Sequence, residues 1–125
     1  MQTDSDDPER SSALAATAKA IGDLDALLQA MQSSIGKTKP WQRQLSAKLT
    51  DAARLLDILR LTISLGREAT EIAEAASALL TVLRQADANI AAGRADEGTR
   101  CAVRLAAEFA RRVDRSISDY CAPDA

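Results

Sequence analysis

A chain of 125 residues with 16 basic and 18 acidic side chains has a net charge of only −2, so no overall field draws it to nucleic acid or to an anionic membrane. It contains no His, which removes the ordinary neutral-pH proton carrier and the commonest metal ligand. A fifth of the residues are Ala, the aromatics are Trp41, Phe109 and Tyr120 alone, and Leu, Arg, Glu and Gln supply much of the rest. These are helix formers, and the composition points to an all-α protein of one domain over 1–125, with disordered tails expected at 1–6 and 122–125.

The first helix has a clear start, with Asp7 as N-cap, Pro8 at the first helical position and Glu9 near the positive helix end. Leu14, Ile21, Leu28 and Ile35 recur every seven residues, with Leu24 and Met31 in the companion seam. Gly36 stops this helix, and 36–39 form a linker before Pro40 opens the next one. There Leu45, Leu49, Ala52, Leu56, Leu59 and Ile63 keep a 4-3 spacing, and Leu55, Ile58, Leu61 and Leu65 run beside them. That is the widest apolar face in the chain, which predicts that this helix is central.

Gly66 divides the reading in two. As the residue after a helix end it gives an antiparallel four-helix bundle with breaks at Gly36, Gly66 and Gly93. As a mid-helix Gly it gives three helices with one central helix over 40–92, about 75 Å long, which demands a dimer. The four-helix bundle is the expected fold. The last helix follows Gly98 with a stripe of Ala102, Leu105, Ala106, Phe109, Val113, Ile117 and Tyr120, and Pro123 ends it. The turn Gly93-Arg94-Ala95-Asp96-Glu97 is similar to the inter-helix turn of tetratricopeptide repeats, but no second copy follows at a 34-residue period.

No stretch approaches the ~18 apolar residues of a membrane span, and the acidic start, Met1 to Arg10, is the reverse of a signal peptide. Cys101 and Cys121 on one helix are about 30 Å apart, too far for a disulfide. Free thiols fit a reducing compartment, with Cys101 expected as a small buried hydrophobe and Cys121 as an exposed thiol. Arg outnumbers Lys three to one, a bias typical of GC-rich genomes. A cytoplasmic, bacterial protein is the expectation.

Catalytic and metal motifs fail on inspection. Gly36-Lys37-Thr38 lacks the upstream Gly of a phosphate-binding loop, since Met31 stands there, and a helix precedes it instead of a strand. Glu68, Glu71 and Glu74 form a carboxylate cluster without His, on the solvent edge of their helix. Only Asp23 and Asp57 are candidates for inward-pointing acids, and Cys101 has Arg neighbours but no base. No enzyme, cofactor or metal is expected.

What remains is recognition. Lys37, Lys39, Trp41 and Arg43 place the lone Trp at a helix start among cations, and Trp and Arg dominate binding hot spots. The structural alternative makes Trp41 a lid over Ile35 and Leu45. Residues 36–60 carry six bases and two acids, whereas 1–35 carry six acids and two bases, so the basic segment either faces an acidic partner or complements the first helix. Arg100, Arg104, Arg111 and Arg115, with Arg112 beside them, form a second basic face that suits phosphates. The expected function is a protein-protein interaction module (an adaptor, chaperone or small regulator) that dimerises through surplus apolar surface. A nucleic-acid-associated regulator acting through the last-helix arginines is the alternative.

Overall fold

The structure, a computed structural model, describes residues 8–121. Its elements are α1 (Pro8–Ser34), α2 (Pro40–Ser64), α3 (Ala69–Ala91) and α4 (Glu97–Cys121), with no strand among the described residues. Each helix packs on the next in sequence and α4 closes back on α1. With connections this short, the neighbours must be antiparallel, and the result is the four-helix bundle. The expected N-cap at Asp7, the two tails, and the side chains of Tyr120 and Cys121 lie outside the described residues.

The core is the 4-3 seam of every helix. Leu24 and Leu28 of α1, Leu49, Leu56 and Leu59 of α2, Leu79 and Leu83 of α3, and Val103 and Val113 of α4 are fully buried. Ala76, Ala86, Ala106 and Ala110 fill the same layers on α3 and α4. Small residues on facing ridges let these two helices approach closely. The α3–α4, α1–α4 and α2–α3 interfaces are extensive, and α1–α2 is the least so. The expectation that α2 is central is therefore corrected. Its wide apolar face has two sides, and only one is covered, because Ile58, Leu61 and Leu65 stand in solvent on the side away from the core.

Three further expectations change for the same geometric reason. Leu14 lies near the start of α1 and is exposed. Leu105 is exposed because Val103, Ala106 and Ala110 supply the inward face of α4. Cys101 is likewise exposed, one residue before the half-buried Ala102, and it is a free thiol on the surface.

Gly66 is where the long-helix alternative ends. Its φ of 65° is left-handed, its N–H donates to the Ile63 carbonyl at 3.1 Å, and the Arg67 N–H donates to the Thr62 carbonyl at 3.0 Å. Those two bonds are the Schellman closure of a helix C-terminus. A Cβ here would meet nothing within 4 Å, so only backbone strain opposes a side chain. Gly66→Ala is expected to destabilise by roughly 1–2 kcal/mol in a denaturant titration. A helix running straight through residue 66 would gain about 1 kcal/mol from the same change, so the sign of the effect decides between the two.

Among the described residues, no helix is long and apolar enough to cross a membrane, and no group of three His, Cys, Asp or Glu side chains is placed to hold a metal ion. Glu71 leaves its cluster to pair with Arg67 at 2.8 Å, while Glu68 and Glu74 are exposed. Asp23 pairs with Lys19 at 3.0 Å on the surface, and Asp57 is exposed.

Candidate functional site

The α1–α2 linker and the α3–α4 turn lie at the same end of the bundle, and side chains close both. The Gln42 side-chain carbonyl accepts from the backbone N–H groups of Thr38 (3.1 Å) and Lys39 (3.0 Å) and from the Thr38 hydroxyl (3.3 Å). This ties the linker to the first turn of α2 and gives partners to the two backbone amides just before the helix. Arg43 donates from Nη1 to the carbonyls of Thr38 (2.9 Å) and Lys37 (3.3 Å). In the other connection Arg100 donates from Nη2 to the Gly93 carbonyl at 2.9 Å.

Asp96 is the N-cap of α4. Its carboxylate accepts the Thr99 backbone N–H at 3.1 Å and the Thr99 hydroxyl at 2.8 Å. The Thr99 hydroxyl, then its backbone N–H, with a smaller contribution from the Lys39 ammonium, hold the Asp96 carboxyl below its ordinary pKa. Glu71 is lowered in the same direction by its hydrogen bond to Arg67. A carboxylate depressed in the folded state favours folding above its ordinary pKa, and that contribution is lost as pH falls through the folded value. The melting temperature is therefore expected to fall as pH drops below about 4. A variant with Asp96→Asn and Glu71→Gln should lose less over the same interval, since neither substitute titrates. Equal losses in the two proteins would show that these carboxylates do not govern the acid limb.

Trp41 stands at the second position of α2, half-buried against the core, and forms a wall of two grooves. The first, of about 570 Å³, runs between α2 and α3. Leu45, Ala47, Ala86, Ile90 and Ala95 give it an apolar floor with low walls, and Lys48, Arg94 and Asp51 mark its polar edge. The second, of about 480 Å³, lies between α1 and α4 and is lined by Leu27, Met31, Ile35, Gln42, Asp96, Thr99 and Ala102. Trp41 thus shares one groove with Ile35 and the other with Leu45. It caps the core and presents the rest of its ring to both openings.

The first candidate cluster is brought together at this end, but with divided roles. Trp41 lines the grooves and Arg43 is committed to the linker carbonyls. Lys37 and Lys39 are exposed beside them. The α4 cluster is less uniform. Arg100 is half-buried on the Gly93 turn, with an Nε that is buried and unpartnered among the described residues. Arg111 pairs with Glu108 at 3.0 Å. Arg112 lies 5.5 Å from the centre of the Phe109 ring, within cation–π range. Arg104 and Arg115 are exposed and in no ion pair among the described residues.

Lys48, Arg94, Ala47 and Ala86 belong to the larger groove and were not picked out from the sequence. Their signal is faint. Ala47 and Ala86 are two of many alanines, and the groove exists only because α2 and α3 place them opposite one another. Comparison with protein-family models, with curated proteins and with solved structures finds no match to this chain.

Proposed function

We propose that this chain is a non-enzymatic protein-protein interaction module, an adaptor, chaperone or small regulator of the cytoplasm, whose Trp41 groove receives an acidic amphipathic helix of another protein. The observation that carries the reading is the groove between α2 and α3, apolar at its floor and walled by the chain's one Trp. A helix laid in such a groove is anchored by apolar residues at i, i+3, i+4 and i+7. Ala47 and Gly93 are small enough to let its backbone come close. Lys37, Lys39, Lys48 and Arg94 gather cations at this end, whereas Asp51, the groove's acid, is already shared with Arg54 at 3.5 Å. Acidic residues on the outer face of the incoming helix meet that charge and raise its association rate.

A second reading is a nucleic-acid-associated regulator, favoured by the two unpaired cations Arg104 and Arg115 on α4. Two such contacts give a shallow salt dependence, and no aromatic residue stands between them for base stacking. Recovery of bound partners by the tagged chain from cell extract, with and without nuclease, separates the readings. A protein partner is expected to remain at about 0.3 M salt and after nuclease. Loss under either treatment would favour phosphate contacts instead.

A further inference from the structure

The larger groove is unevenly charged along its length. From Trp41 to Asp51 it follows α2 for about 15 Å at the rise of an α-helix. Its charged lining residues are Arg94 at the Trp41 end, Asp51 at the far end, and Lys48 one turn from Asp51. Lys48 donates to the side-chain carbonyl of Gln85 on α3 at 3.0 Å and offsets Asp51 beside it. Arg94 is exposed and makes no hydrogen bond or ion pair among the described residues. Lys37, Lys39 and Arg43 stand at the Trp41 end too and outnumber Asp96 and Glu97 there. The groove walls are helices, whose backbone groups are bonded internally, and no strand among the described residues offers an edge to an extended peptide. A segment lying here must satisfy its own N–H and C=O groups, as an α-helix does. Such a helix is negative at its C-terminal end and positive at its N-terminal end. The positive start of α2 and the negative end of α3 lie together at the Trp41 end and oppose one another, so the side-chain charges decide the direction of an incoming helix.

We propose that the partner helix lies antiparallel to α2, with its C-terminal turn at Trp41 and Arg94, its N-terminal turn at Asp51, and its acidic residues in that C-terminal turn. This inference rests on the proposed function and adds to it the direction of the bound helix and the place of its acids. In this direction the negative end of the helix meets Arg94, and its positive end meets Asp51. The reverse direction sets the positive end against Arg94 and the negative end against Asp51, which is unfavourable at both ends. Acids in the last turn add to the attraction by Arg94 and to the rate of encounter.

The probe is a Trp-free peptide of about three turns, with Leu at i, i+3, i+4 and i+7, Glu in its last turn, and a lactam bridge on its outer face to hold the helix. Trp41 is the one Trp of the full chain, so its fluorescence reports on this end of the bundle. A nitroxide quenches Trp fluorescence only at short range. On the last residue of the peptide it should quench Trp41 strongly, and on the first residue, about 15 Å further along the groove, only weakly. Arg94→Glu should weaken binding of the unlabelled peptide by roughly fivefold, with an unchanged circular dichroism spectrum, and the difference should vanish at about 1 M salt. Quenching that is equal or stronger from the first residue, or an affinity indifferent to Arg94→Glu, overturns the proposed direction and leaves the groove standing as a helix site. Failure of both labelled peptides to alter Trp41 fluorescence overturns the proposed function, and this inference with it.

Discussion

Replacing Leu59 by Ala is expected to destabilise the protein by about 2–5 kcal/mol, the range for a buried Leu whose loss leaves a cavity. Leu59 is fully buried in the 4-3 seam of α2. Its neighbours in the seam, Leu56 and Ala52, are also fully buried, so little side-chain mobility is available to fill the void. A domain of this size has only about 5–15 kcal/mol of stability, so the variant should unfold at a much lower urea concentration with its m-value unchanged. Leu61→Ala is the matched control. It lies two residues further along the same helix, faces solvent, and should shift monomer stability by no more than about 0.5 kcal/mol. A loss below about 1 kcal/mol at Leu59 would mean that this side of α2 is not core.

The second large effect is expected at Trp41. In a well-packed hot spot, truncating Trp to Ala costs about 2 kcal/mol or more of binding energy, at least tenfold in affinity. The ring walls both grooves at one end of the bundle, so its removal opens them and takes away the largest apolar contact offered there. Because the ring also rests on the core, some loss of melting temperature accompanies the change. The two contributions separate by measurement. Affinity for the recovered partner should fall at least tenfold while the circular dichroism spectrum keeps its helical form. Unchanged affinity with a lowered melting temperature would reduce Trp41 to a lid over the bundle and move the site elsewhere.

The helices and their inward seams were readable from local signals. Pro40 marks a helix start and the period of the leucines marks a face, because helix formation and amphipathic burial depend on residues within one or two turns. Gly66 was readable as a position of conflict, with a break as the expected reading and a straight helix as its rival. Its stripe runs through in helical phase, and only the left-handed backbone with its two closing hydrogen bonds turns the chain. The four arginines of α4 share a face in projection. The tertiary structure divides them: Arg100 is held by the Gly93 turn and Arg111 by Glu108 one turn before it, while Arg104 and Arg115 stay exposed.

Sequence alone determined that this chain is helical, where the bends at Gly36 and Gly93 fall, and that Leu24, Leu28, Leu49, Leu56 and Leu59 point inward. Those properties follow from backbone propensity and from a period of 3.6 residues. Only the tertiary structure decided which of the two apolar sides of α2 is core and which is left in solvent. A helix with leucines on both sides satisfies the periodic signal twice, and the bundle has room to cover one. The groove beside Trp41 is likewise a property of two helices, since Ala47 and Ala86 line it together only when α2 and α3 pack.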